Sequence, residues 1–164
     1  MFKTILIVFL AVPCFSQSIF SEILADKNVW ASSACAFTGG LADGTNQAIM
    51  FHYDDFKRVF PNANDQYWNP QVSWTNKYNN PFPGKKSFLV GTTDAYHMTR
   101  QIDNFATVVM MPMFSSSNMD VFDKRIPKKL RLRHIEKKII EGIIRMSARQ
   151  VGFLLTYDVL FKSH

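Results

Sequence analysis

The C-terminal part of the sequence contains a long stretch, residues 135–161, in which apolar residues recur at helical spacing. These residues are Ile139, Ile143, Met146, Phe153, Tyr157 and Leu160. Separations of three or four residues place side chains on one face of an α-helix, because the helix has about 3.6 residues per turn. The stretch therefore predicts a helix about 40 Å long, at roughly 1.5 Å per residue.

A second stripe on the same stretch is charged and consists of Lys138, Glu141, Arg145 and Arg149. Glu141 lies four residues before Arg145, which is the order that stabilises a helix pair. Further apolar residues fall outside both stripes, namely Ile140, Ile144, Val151 and Leu155. The apolar arc is thus wider than one core-facing stripe needs. Such a helix is either central to a bundle or also in contact with lipid or a partner.

Two earlier stretches, residues 32–60 and 86–114, also show helical spacing. Gly39, Gly40 and Gly44 lower the helix propensity of the first, and small residues in a helix usually mark the close approach of another backbone. The chain is 47 % hydrophobic and 20 % charged, which argues against disorder. We predict an all-α fold, in which residues 17–164 form a single domain that is a small bundle of three or four helices.

Residues 61–84, between the first two predicted helices, have a different composition. They hold four of the seven prolines, six asparagines and two of the three tryptophans, without helical or strand periodicity. Aromatic residues are rare in disordered segments, so we predict a long, ordered, aromatic Asn/Pro-rich loop. It would pack on the helices or lie at the level of lipid headgroups. Its candidate packing or ligand residues are Trp68, Asn69, Trp74, Asn76, Lys77 and Tyr78.

Residues 1–16 have the layout of a signal peptide. Lys3 precedes a short apolar run that ends in small residues, which favours cleavage between Ser16 and Gln17. Cleavage would leave Cys35 as the one thiol of the mature chain, and a single thiol forms no internal disulfide. We expect an exported protein of the periplasm or of a cell-envelope membrane. An uncleaved N-terminal anchor is the first alternative. A lipoprotein signal that uses Cys14 is the second and weaker one, since Pro13 stands where a small residue is expected.

The net charge of +6 comes from one basic block. Residues 124–138 contain eight Lys or Arg and one Glu, so the rest of the chain is near neutral. Such a block suits an anionic lipid surface, whereas export and the lack of interleaved aromatic rings argue against nucleic acid. A solvated basic turn is the alternative. The candidate membrane-binding or anion-binding residues are Lys128, Lys129, Arg131, Arg133, Lys137 and Lys138.

Two segments pair a histidine with a carboxylate three residues away: His52 with Asp55, and Asp94 with His97. Helical bundles build metal sites from imidazole and carboxylate groups on facing helices. His52, Asp94 and His97 are therefore candidate ligands of a divalent metal that could activate water. A hydrogen-bonded structural pair is the commoner outcome, and Asp94 is also placed to cap a helix. Established motifs such as HExxH and GxSxG are missing.

Four stretches carry a specific pattern: GGLADGTNQAIMFHYDDFKRVFPNANDQYWNP, SWTNKY, TTDAYHMTR and VGFLLTY. Together they resemble a family of small exported or membrane-associated bacterial proteins that has no established reaction, with GxxDG…HYxxF, NPxxSWxNKY and TDxxH motifs. The matching positions are Asp43, Gly44, His52, Tyr53, Trp68, Asn69, Pro70, Trp74, Asn76, Lys77, Tyr78, Asp94 and His97. Relatives often carry Glu where Gln47 stands, which weakens a carboxylate-rich metal site here.

Three functional hypotheses follow from these features. The first is a non-catalytic, envelope-located, membrane-associated helical protein that binds lipid through the third helix and the basic block. The second is a metal-dependent, hydrolase-like enzyme that acts on a lipid or envelope substrate through His52, Asp94 and His97. The third is a soluble periplasmic interaction module. The sequence indicates no particular protein partner.

Overall fold

The computed structural model describes residues 17–78, 87–114 and 125–161. All regular elements in these three ranges are helical, which confirms the all-α prediction. The predicted signal peptide, residues 1–16, lies outside the described residues, as do residues 79–84 of the predicted loop and residue 124 of the basic block. Among the described helices, none combines the length and the hydropathy that a membrane span requires.

Eight α-helices occur in the described ranges. In chain order they are α1 (Gln17–Ala25), α2 (Lys27–Phe51), α3 (Tyr53–Val59), α4 (Asp65–Trp68), α5 (Pro70–Ser73), α6 (Ala95–Asn104), α7 (Met111–Met113) and α8 (Lys128–Leu154). Two π-helical segments continue them, Phe105–Met110 after α6 and Leu155–Phe161 after α8. Two 3₁₀ segments, Asn76–Tyr78 and Ser87–Thr92, precede α6.

The long helix α2 is the centre of the bundle. It packs along α8 and along α6 with its π-helical continuation, while α1 packs mainly on α8. One apolar cluster lies where α2, α3, α6 and the end of the chain meet, and consists of Ala48, Ile49, Phe56, Ala95 and Phe161. A second cluster joins α1 to α2 and α8, and consists of Ile19, Ile23, Val29 and Ile140.

Glycines allow α2 and α8 to approach closely. A Cβ atom at Gly40 would overlap the carbonyl oxygen of Arg149, and a Cβ at Gly152 would overlap the carbonyl oxygen of Phe37. At Gly44 a Cβ would lie 2.6 Å from the carbonyl oxygen of Phe153, far inside contact distance. The expectation that small residues in the first helix mark a close backbone neighbour is confirmed.

The charged stripe of α8 faces the inside of the bundle. Glu141 is fully buried and pairs with Arg145, whose Nε donates to Ser32 on α2 at 2.9 Å. Arg149 donates to Asp43 on α2 at 3.0 Å and to Asp103 on α6. The hydrogen bond to Asp103 and the neighbouring negative charges raise the pKa of the Arg149 guanidinium. These ion pairs join the three longest helical segments.

The apolar stripe is consequently only partly a core face: Phe153 and Tyr157 are half-buried, and Tyr157 packs against the first apolar cluster. Ile139, Met146 and Leu160 are exposed, whereas Ile140, Gly152 and Thr156 are buried. The positions of the apolar residues did not predict which side of α8 is buried, because small residues and paired charges occupy much of that side.

The helix bounds also differ from the sequence prediction. The first long helix begins at Lys27, capped by the Asp26 side chain, and ends at Phe51 rather than near residue 60, with His52 as its C-cap. His52 has φ −137° and ψ 46°, outside the helical region, so the chain bends there before α3. The last helix begins at Lys128, directly after Pro127, instead of at residue 135.

The described part of the aromatic loop is ordered by short helices and by polar ties to α3. Asn64 and Asn69 cap α4 and α5 through their side chains. Asp65 accepts hydrogen bonds from Lys57 and Tyr53, each at 2.7 Å. The bond from Lys57 lowers the pKa of Asp65, while burial and the nearby carboxylate raise the pKa of Tyr53.

We expect Gly152→Ala to destabilise the protein by about 1–3 kcal/mol, because the added methyl group overpacks the contact with α2. Gly142, on the same helix, is the matched control, since a Cβ there meets nothing within 4 Å. Gly142→Ala should raise the free energy of unfolding by up to about 1 kcal/mol through helix propensity alone. Urea denaturation measures both. Equal effects at the two positions would contradict a tight α2–α8 crossing.

Candidate functional site

Asp94 sits at the start of α6 and is almost completely buried. Its backbone is extended, and its Oδ1 accepts a hydrogen bond from the amide of His97 at 2.8 Å, which caps the helix. The hydroxyl oxygen of Thr93 lies 3.0 Å from Oδ2, and its single proton has the carbonyl of Val90 as a closer acceptor at 2.7 Å. The alternative interpretation of Asp94 as a helix cap is therefore confirmed.

The same carboxylate holds the imidazole of His97. His97 Nδ1 lies 2.8 Å from Oδ1 and 2.7 Å from Oδ2 of Asp94. Because an ionised carboxylate only accepts hydrogen bonds, Nδ1 carries the proton in this contact. The ring orientation is thereby fixed, and Nε2 is left to interact with another group.

His97 and Asp94 line a small pocket of about 190 Å³ between α6 and the aromatic loop. Its other polar lining residues are Ser73 at the end of α5 and Lys77 in the following 3₁₀ turn. Its apolar walls come from Met50, Pro70, Trp74 and Tyr96. The pocket thus has the oriented His97 in its lining, while Ser73 beside it is fully buried.

Asn76 fixes the loop against the start of α6. Its Nδ2 donates to the carbonyl of Thr93 at 2.8 Å and to that of Gln66 at 2.6 Å, and Asn76 is almost fully buried. Tyr67 adds a hydrogen bond to the carbonyl of Gly91 at 3.3 Å. Burial, with a smaller contribution from the charge of Asp94, raises the pKa of the Tyr67 hydroxyl.

The structure does not bring His52 to the Asp94–His97 pair. His52 Nε2 is 2.8 Å from the hydroxyl of Tyr157, and its Nδ1 is 3.9 Å from Asp55. Within the described ranges, no three His, Cys, Asp or Glu side chains are grouped so that they could hold a metal ion. His52, Asp94 and His97 are thus not grouped as ligands of one metal ion in the described ranges. Through its hydrogen bond to Tyr157, His52 instead connects the bend after α2 with the π-helical segment that follows α8.

The candidate loop residues divide into packing residues and pocket residues. Trp68 stacks on Phe56 with ring centroids 5.2 Å apart, and the Asn69 side chain caps α5. Trp74 and Tyr78 are exposed and meet edge to face, with 6.2 Å between their centroids. The Lys77 ammonium lies over the Tyr78 ring.

Some basic residues of α8 form ion pairs, and others are exposed or half-buried. Arg133 and Lys137 pair with Glu22 on α1, each at 3.1 Å, and Lys138 pairs with Glu141. The hydrogen bond from Lys137 lowers the pKa of Glu22. Lys128 and Lys129 are exposed at the start of the helix. Arg131 is half-buried, and its Nε has no hydrogen-bond partner among the described residues.

A larger groove, of about 1160 Å³, runs between α2 and α6 with its π-helical continuation. Its walls are mostly apolar and include Cys35, Met98, Phe105 and Val109. Cys35 is a half-buried free thiol rather than a core residue.

Comparison of the chain with protein-family models, with curated proteins and with solved structures finds no match. The family resemblance carried by the sequence motifs stays a prediction.

Ser73 lines the pocket but is not among the candidate loop residues that the sequence indicated. Turn formation and aromatic packing were sufficient to explain it in the sequence, and no nucleophile or ligand motif surrounds it. The available signal was its position beside Trp74 in the SWTNKY stretch, four residues before Lys77.

We expect Asp94→Asn to change the tautomer of His97, that is, the ring nitrogen that carries the proton. The variant can keep the helix cap, but its amide group would face Nδ1, and two donors repel each other. Neutral His97 should therefore move its proton to Nε2, with a stability loss of about 1–3 kcal/mol. Long-range ¹H–¹⁵N NMR measures the tautomer.

Asp55→Asn is the matched control, because the Asp55 carboxylate is too far from His52 for a hydrogen bond. The His52 tautomer should stay as in the unsubstituted protein. An unchanged His97 tautomer in Asp94→Asn would show that the carboxylate does not orient the ring.

Proposed function

We propose that this protein is an exported, helical protein of the cell envelope that docks on an anionic membrane surface through one face of α8. It acts by binding rather than by catalysis. The export step is supported by the signal-like residues 1–16. The docking step is supported by the side chains that α8 directs away from the bundle.

The observation that carries the proposal is a continuous apolar stripe on the outer side of α8. Leu132, Ile135, Ile139 and Met146 follow one another at helical spacing and are 55 %, 39 %, 50 % and 74 % exposed. Single exposed apolar residues are ordinary, but contiguous apolar surface on one face typically marks an interaction site.

The stripe is open because of what occupies the opposite side of the helix. Glu141, Arg145 and Arg149 face α2, where their charges are paired. Rotating α8 to bury the apolar stripe would expose these pairs and move Gly152 away from α2. The outward position of the stripe is therefore a consequence of the packing itself.

Charge at one end of the stripe favours an anionic lipid surface as the occupant. Lys128 and Lys129 precede Leu132 by four and three residues, so they lie at the N-terminal end of the same face. Both are exposed and make no ion pair with a described residue. An apolar face with lysines at its border is the arrangement of helices that lie in the plane of a membrane interface.

We expect the purified protein to sediment with vesicles of phosphatidylcholine and phosphatidylglycerol, and Lys128→Gln/Lys129→Gln to bind roughly 30-fold more weakly. This loss follows from about 1 kcal/mol for each cation near an anionic surface. The control Lys27→Gln/Arg58→Gln removes the same charge from exposed positions outside α8. If both double variants bind alike, the basic end of the stripe is not the contact.

Ile139→Gln/Met146→Gln tests the apolar part of the same surface. Both side chains are exposed, so the stability of the fold should change by less than about 0.5 kcal/mol for each. Vesicle affinity should fall at least about tenfold, because the apolar area removed from water is lost. The control Val72→Gln/Val108→Gln replaces exposed apolar residues on other helices. A protein that does not sediment with anionic vesicles would leave an interaction module as the better interpretation.

A further inference from the structure

The groove between α2 and α6, with the π-helical segment that continues α6, is lined by small side chains on both of its long sides. On α2 these are Ala34, Cys35 and Thr38, and on the facing segment Ala106. None of them is large enough to fill the space between the helices. A groove of about 1160 Å³ is therefore left.

The larger apolar side chains of the groove are open to solvent. Ile102, Phe105, Val108 and Val109 all line it and are between 41 % and 69 % exposed. Contiguous exposed apolar surface in a concave site typically marks a binding site. Because these side chains are already accessible, a ligand can contact them without a change in the fold.

The chemistry of the lining favours an uncharged ligand. The described residues that line the groove include no Asp, Glu, Lys or Arg. The Thr38 hydroxyl donates to the carbonyl of Ala34 at 2.9 Å, and the Tyr67 hydroxyl has the carbonyl of Gly91 at 3.3 Å and the Met98 sulfur at 3.0 Å as acceptors. A charged group would lose its water in the groove without gaining a counter-ion. The groove therefore complements an apolar chain.

The length of the groove matches one lipid chain. Its lining extends along α6 and the π-helical segment from Met98 to Met110, which spans at most about 18 Å at 1.5 Å per residue. The hydrocarbon core of a bilayer is about 30 Å thick, so the acyl chain of one leaflet spans about 15 Å. An extended peptide of the same length would bring about five backbone amides and carbonyls that need partners. An acyl chain brings none.

Polar contacts next to the groove keep its two long sides in place. Arg149 bonds Asp103 on α6 and Asp43 on α2. Asn46 on α2 donates to the Thr99 hydroxyl on α6 at 2.7 Å. The groove cannot close by a shift of α6 along α2 unless these bonds break. A site that is formed before its ligand arrives binds at a lower entropic cost.

We propose that this groove binds the acyl chain of a single-chain lipid, with the chain between α2 and the π-helical segment and the headgroup in solvent. The flexible side chains of Met98 and Met110 adapt to the chain at the two ends of the groove. Each methylene group that the groove removes from water strengthens binding, so affinity has to rise with chain length. This inference does not rest on the docking of α8.

Cys35 reports whether the groove is occupied, because it lines the groove and is a half-buried free thiol. In purified Cys14→Ser protein it is the one thiol of the chain. The test measures its rate of reaction with a maleimide during titration with octyl-, decyl- or dodecylphosphocholine, each below its critical micelle concentration. We expect saturable protection of about tenfold or more. The concentration that halves the rate should fall roughly fivefold to tenfold for each two added methylene groups.

Ile102→Gln/Val109→Gln, in the same Cys14→Ser protein, removes apolar wall and should raise the half-protection concentration of dodecylphosphocholine at least about fivefold. Leu155→Gln/Val159→Gln is the matched control, since it replaces similarly exposed apolar side chains outside the groove. The control should be protected as the parent protein is. Urea denaturation verifies that both variants stay folded.

Three results would overturn the proposal: no protection of Cys35, protection that does not depend on chain length, or equal affinity in the two double variants. Protection without added lipid that disappears on dilution would also overturn it, because a second copy of the chain would then occupy the groove. Lys128→Gln/Lys129→Gln should leave the protection of Cys35 unchanged. The vesicle test of α8 and this test can therefore fail separately.

Discussion

The close crossing of α2 and α8 is the contact on which the other features of this fold depend. Three glycines, Gly40, Gly44 and Gly152, leave room for backbone atoms of the facing helix where any side chain would collide. The close approach of the helix backbones also determines which side chains on different helices can contact each other. Arg149 can bind Asp43 on α2 and Asp103 on α6 at once because both helices lie beside it. Small residues and ion pairs thus hold the bundle together where a core of large apolar residues would keep the helices further apart.

In α8 the charged side faces the bundle and the apolar side faces solvent, which is the reverse of a usual surface helix. Glu141 is completely buried, and a buried charge is tolerated only when it is paired and hydrogen-bonded. Arg145 and Lys138 supply that pairing from the same helix. The side of α8 that remains for solvent is then the apolar one. The exposed stripe is a direct result of the inward charges.

Helical periodicity was enough to predict the fold class and the unusually wide apolar arc of the last helix. It could not tell which side of α8 faces α2, because the spacing of Ile139 and Met146 resembles a core stripe and the spacing of the charges resembles a solvent stripe. The glycines of α2 were the informative residues, since they indicated that another backbone lies close to this helix. Their partner Gly152 is remote in sequence, so the pairing became visible only in three dimensions.

The residues of the pocket were also predictable only where they lie close together in sequence. Asp94 and His97 were paired correctly because a separation of three residues at a helix start lets one carboxylate cap the amide and hold the ring. Ser73 and Lys77 lie about twenty residues earlier, and no periodicity connects them to α6. Asn76 makes that connection, since its buried amide bonds the carbonyl of Thr93. This bond joins residues seventeen positions apart, so the position of the loop beside α6 depends on a tertiary contact that local spacing does not reveal.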